Sequence, residues 1–206
     1  GQVIHVWPEG YRVSETDGRP TYGGTPADQS IVDAVKDCKA RGLQVTFYPT
    51  LLMDIPAGNN LPDPYSDSAS SLGQPVHPVS ARLTCSPAAG FAGTVDQTAS
   101  AASQIAALFG SATPGQFSVV GEQVSFTGPA NDWGLRRMVL HYAHLCKAAG
   151  SVNAFLIGSD LRGLTQVRSA AGTYPAVQQL RSLAADVRRV LGAGTKISYA
   201  ADWTEY

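Results

Sequence analysis

The sequence carries no excess charge of either sign. It has 15 basic residues against 16 acidic ones, for a net charge of −1. That balance removes the electrostatic reason to expect a nucleic acid or an anionic membrane surface as partner. No apolar run approaches the roughly 18 residues that a membrane span needs. The opening Gly1-Gln2-Val3-Ile4 has neither the basic start nor the apolar stretch of a secretory leader. Cysteine is scarce: Cys38, Cys85 and Cys146 are odd in number and lack metal-type spacing. Cys38 and Cys146 fall on helix-like faces and read as small buried hydrophobes. His141 and His144 lie three apart on one helix, but no Cys, Asp or Glu stands at a matching offset, so no metal site is expected. No Gly-rich phosphate loop follows a strand-like run, which weighs against nucleotide binding. No G-x-S-x-G pattern supports serine hydrolase chemistry. No cofactor is expected.

What is present is enough for one sizeable core: 206 residues with 44% hydrophobic content and no second composition regime. Val3 to Trp7 can form a strand, and the turn-rich residues 8–24 read as a loop. Thr25 is a good N-cap and Pro26 suits the first position of a helix. Its buried face should carry Ile31, Val35 and Cys38, with Ala34 beside them, and Gly42 supplies a left-handed exit. Leu43 to Tyr48 follows as a strand. Residues 49–95 are punctuated by proline and have no period, so they form one long loop. Leu51, Leu52, Met53 and Ile55 near its start should pack it down over the C-terminal face of the sheet.

A helix is expected from Asp96 to about Phe109, with Ala102, Ile105, Ala106 and Phe109 on one face. Phe117 to Phe126 alternates around Gly121-Glu122 as a small β-hairpin. Asn131 or Asp132 caps a further helix to about Ala149, with Leu135, Met138, Tyr142, Leu145 and Cys146 buried. A strand follows at 153–158. The last helix, from Tyr174-Pro175 to Leu191, should bury Val177, Leu180, Leu183, Ala184, Val187 and Leu191. A last strand lies at about 195–200. Helix, glycine, strand repeated in this way predicts parallel strands in one sheet, an α/β fold. An open doubly wound sheet or part of a barrel fits. A full (β/α)8 barrel takes roughly 250 residues, so a single domain forming part of a TIM-type barrel is expected, with strands missing at both ends.

Three strand exits carry the polar and aromatic groups. The first offers Tyr48, then Asp54; the second, Asp160 and Arg162; the third, Asp202, Trp203 and Glu205. The C-terminal ends of parallel strands are where α/β barrels place their chemistry. Carboxylates beside aromatic platforms suit sugars, whose apolar faces stack on Trp or Tyr and whose hydroxyls bridge to Asp and Arg. Each residue also has a plainer role. Asp54 is a good turn residue, Asp202 and Glu205 can cap a helix or face solvent, and Asp160 with Arg162 can form a surface pair.

Several long motifs resemble one known family. Gly18 to Pro26 is similar to its GRPxYGGTP segment, and Leu51 to Asn59 with Leu61 to Tyr65 to its LLMDIPxGN and LPDPY loop. Thr84 to Pro87, Val139 to Ala143, Phe155 to Thr165 and Lys196 to Trp203 also match. The family is the TIM-barrel-like domain of the large tail-hub proteins of gene transfer agents and related siphophages, itself related to glycoside hydrolases. The resemblance implies a virion location at the tail tip, neighbouring tail and baseplate proteins as partners, and a role in structure and host recognition with host-surface polysaccharide as ligand. The alternative is an active glycoside hydrolase that degrades capsule or cell-wall polysaccharide. A free-standing α/β enzyme with another substrate is a third class. The resemblance makes Asp160 the candidate acid, although family members carry Glu at that position. Hydrolysis needs two carboxylates, and the second is expected beyond Tyr206, so this segment alone is expected to be inactive. Tyr48, Asp54, Arg162, Asp202, Trp203 and Glu205 are the candidate substrate-binding residues.

Overall fold

A computed structural model describes residues 4–6, 12–13, 20–21, 26–51, 55–68, 70–76 and 81–205. Four strands form one parallel sheet: β1 (Ile4–Val6), β4 (Val45–Phe47), β7 (Ala154–Ser159) and β8 (Lys196–Ala200), in the order β1-β4-β7-β8. Every pairing is parallel, with Val6 opposite Phe47, Phe47 opposite Phe155 and Phe155 opposite Ile197. Among the described residues the sheet stays open. Each of the three intervening stretches contains a helical crossover, as parallel pairing requires. The turn-rich region before the first helix is not loop throughout: β2 (Arg12–Val13) and β3 (Pro20–Thr21) pair antiparallel within it.

The first helix, α1 (Asp28–Ala40), begins two residues later than the Thr25 signal suggests, with Ala27 at the cap position. Its buried stripe is Ile31, Val32, Val35 and Cys38; Val32 takes the place expected of Ala34, which is exposed. Burying Val instead of Ala removes more apolar surface from water. Gly42 has φ of 73° and turns the chain out of α1. The second helix, α2 (Ala99–Phe109), also starts late, because Asp96 is engaged elsewhere. Its buried line is Ala101, Ile105 and Phe109, a strict four-residue spacing, and Ala106 faces solvent. In an alanine-rich helix the side-chain pattern hardly distinguishes one face from the next.

The hairpin forms as its alternation predicts, with β5 (Phe117–Val120) and β6 (Gln123–Phe126) paired around Gly121-Glu122. Next comes α3 (Leu135–Ala148). Gly134 holds its cap position, and Asp132 Oδ1 accepts the Gly134 N–H at 3.2 Å. This helix is buried on more than one face, including Leu135, Met138, Tyr142, Leu145 and Cys146. It packs beside α1 and α5 (Pro175–Leu191), the latter following the single turn α4 (Arg162–Thr165), and α5 itself lies against β7 and β8. In α5, Val177 is exposed where the sequence suggests burial, and Pro175 and Ala176 are buried instead. The core centres on Phe47, which stacks on Phe155 and tilts against Tyr142, both at 5.5 Å. Cys38, Cys85 and Cys146 are all buried and free.

Candidate functional site

Strand β7 carries one extra residue relative to β8. Leu156 lies opposite Ser198 but Ser159 lies opposite Ala200, so three steps on one strand match two on the other. Such a bulge re-aims the side chains that follow it. Directly after it Asp160 takes φ of 50°, in the left-handed region that Asp tolerates better than most residues. The Asp160 N–H still reaches Ala200 O at 3.1 Å, which ties the turn to β8.

Two tyrosines fix this turn. Tyr199 Oη accepts the Leu161 N–H at 2.9 Å and donates to Glu205 Oε1 at 2.8 Å. Tyr65, from the long loop, donates to the Asp160 carbonyl and accepts the Arg162 N–H at 3.3 Å. Burial pushes the Tyr65 phenol up to about 12, against the lowering effect of the Arg162 bond and with the help of nearby acids. Burial, then the bond to Glu205, raises Tyr199 further. Neither tyrosine stood out as a site residue in the sequence. Tyr65 lay in a motif with no visible partner, and Tyr199 read as one alternating position of a strand.

The third exit forms a tight turn. Glu205 N–H donates to Asp202 O at 3.0 Å, and Asp202 Oδ1 accepts the Thr204 N–H at 2.7 Å. Glu205 Oε2 accepts the Asp202 N–H at 3.1 Å, and its Oε1 also accepts from Thr165 Oγ1 at 3.3 Å. Glu205 therefore braces the turn with both oxygens. Trp203 projects from it and is 77% exposed. A large apolar ring held in water by a well-bonded turn is an unusual use of Trp.

Asp160 lies close enough to Asp202 and Glu205 to feel both. Burial first, then the charges of Asp202 and Glu205, hold its carboxyl above the ordinary range. Asp202 is held below the ordinary range, first by its hydrogen bonds from Thr204 and also by the charge of Arg162. Tyr48 sits half-buried at the first exit, raised by burial and opposed by a hydrogen bond with Ser159. Tyr48, Asp160, Arg162, Asp202, Trp203 and Glu205 thus gather at the C-terminal end of the sheet. Asp54 lies outside the described residues, as do Leu52 and Met53; Ile55 is buried and Leu51 half-buried. The long loop reaches this end through Tyr65, and through Pro64 and Leu83 packed over Gly163.

The segment from α3 onward thus supplies two of the three strand exits. Residues 133–206 match the family of the GTA TIM-barrel-like domain. This part of the chain is similar to the GTA TIM-barrel-like domain. No curated protein matches the chain. Within the GTA TIM-barrel-like segment lie Asp160, Arg162, Asp202, Trp203 and Glu205, whereas Tyr48 and Tyr65 reach it from upstream. A cavity of about 390 Å3 lies away from the strand ends, between α1, the hairpin and α3. Its Arg137 stacks on Trp133 at 3.7 Å and on Phe126 at 4.2 Å, and its His141 pairs with Asp28 at 2.9 Å. The polar groups there hold one another. His144 does not join His141 in a ligand pair; it stacks on Phe117 at 5.0 Å.

Proposed function

We propose that the chain is part of a (β/α)8 barrel in the tail-tip hub of a gene transfer agent or related phage virion, where it recognises host-surface polysaccharide. The family of residues 133–206 supports the association with gene transfer agents. The barrel is supported by four parallel strands with β8 at an edge, where Ile197 and Tyr199 are only half-buried. In a barrel a further strand would pair with the open edge of β8. Tail and baseplate proteins are the expected partners.

One observation carries the glycan reading: Trp203 stands 77% exposed on a braced turn beside Asp202, Asp160 and Arg162. A sugar ring can stack on the indole while its hydroxyls bond to the charged groups. The raised carboxyl of Asp160 favours a second reading, a glycoside hydrolase, since a general acid must hold its proton near neutral pH. Against it, both oxygens of Glu205 and one of Asp202 are already bonded within their own turn. Glu205 is not free to act as the second carboxylate without dismantling that turn. The test incubates the purified chain with envelope polysaccharide and counts reducing ends. Binding without release is expected. Release above background that Asp160→Asn abolishes would establish the hydrolase instead.

A further inference from the structure

A second cavity, of about 240 Å3, opens beside α4 between the 62–68 and 84–91 segments. Two of the charged residues that line it are paired and, among the described residues, two are not. Asp63 is bound by Arg82 and Asp96 by Arg168, and Asp67 is exposed to water. Arg162 enters no ion pair among the described residues, and its Nε is buried with no hydrogen-bond partner. Its guanidinium lies 5.8 Å from the centroid of the Tyr65 ring, which Arg82 approaches at 4.9 Å. The planar fork of a guanidinium matches a carboxylate. A buried charged donor without an acceptor is a costly arrangement in the absence of a ligand.

We propose that this cavity is a subsite for a hexuronate, a sugar ring bearing one carboxylate, with Arg162 as the partner of that carboxylate. The inference rests on the glycan reading and names the class of sugar. The volume is below that of pockets for drug-sized ligands and suits one ring. Ser66, Ser68 and Gln166 can meet its hydroxyls, and Phe91 and Pro64 form apolar walls. A single negative charge balances Arg162. A doubly charged phosphate would leave excess charge beside Asp63, Asp67 and Asp96.

The test is a 15N NMR titration of the whole chain with glucuronate and galacturonate, each against its methyl ester. The acids should shift the Arg162 Nε–H and the Gly163 and Gln166 amides and bind at least about tenfold more tightly than the esters. Arg162→Gln should erase that preference with the melting temperature unchanged, and Arg162→Lys should keep part of it. Equal binding of acid and ester to the natural chain, no shift at these resonances, or a preference that survives Arg162→Gln would overturn the subsite. The Trp203 indole resonance separates the two levels. If envelope polysaccharide shifts Trp203 while the acids leave Arg162 untouched, the subsite falls and glycan recognition stands. If neither resonance moves, both fall.

Discussion

Asp160 and Asp96 depart from the ordinary carboxylate in opposite directions, and their effects on stability have opposite signs. The native state holds the Asp160 proton more tightly than the unfolded chain does, because of burial and then the charges of Asp202 and Glu205. Its ionisation therefore opposes folding. The penalty is absent below about pH 4 and grows as pH rises through the native value. Asp160→Asn should raise the melting temperature at neutral pH and leave it unchanged near pH 3, since Asn also accepts a φ of 50°. Thermal unfolding across pH checks this, and a lower melting temperature at neutral pH would contradict it. The same φ favours Asp at this position over most other side chains. Burial raises Asp96, but the side-chain and backbone hydrogen bonds from Arg168 outweigh it and leave the carboxyl low. Its stabilisation is present above about pH 4 and is lost as pH falls through the native value. Asp96→Asn should cost about 1–2 kcal/mol at neutral pH and nothing in acid. The cost is modest because Arg168 is 37% exposed and regains water.

Between elements, the α3–α5 contact holds one buried ion pair. Arg136 and Asp186 have side chains only 8% and 9% exposed, and Arg136 Nε also donates to Ala112 O at 2.9 Å. Removing one partner strands a buried charge. Asp186→Ala should cost about 3–5 kcal/mol, whereas Arg136→Met with Asp186→Leu should restore most of the loss. A denaturant-unfolding double-mutant cycle measures both. Glycines fix two further contacts. A Cβ on Gly134 would meet the Phe109 carbonyl and lie 2.5 Å from the Gly110 backbone, so the approach of α2 to α3 requires glycine there. A Cβ on Gly163 would meet the Leu83 carbonyl and lie 2.6 Å from Pro64, pushing the long loop off α4. Gly163→Ala should cost about 1–3 kcal/mol and speed amide exchange over 61–74 while leaving α1 unchanged. Unchanged exchange in that loop would show that it does not rest on α4.

At the scale of the molecule, the parallel strands and most helices were legible because α1, α3 and α5 each reach a glycine and a strand-like run follows. The hairpin was legible to the residue because alternation around Gly121-Glu122 fixes its register. The faces of α1 and α2 were less so, since Ala34, Ala102 and Ala106 look the same as the alanines that are buried. In the site, the residues at the strand exits were visible from position alone. Their roles were not. That Glu205 braces the turn, that Tyr65 crosses from a distant loop, and that a bulge precedes Asp160 all depend on contacts far apart in the chain. The central claim is that the C-terminal end of this sheet holds polysaccharide through Trp203. Equilibrium binding of the chain and of its Trp203→Ala variant to envelope polysaccharide tests it most directly. The account predicts measurable binding by the natural chain and a loss of about tenfold or more in the variant, with an unchanged melting temperature because Trp203 is exposed. Binding that survives the substitution undiminished, or no binding by the natural chain, would contradict it.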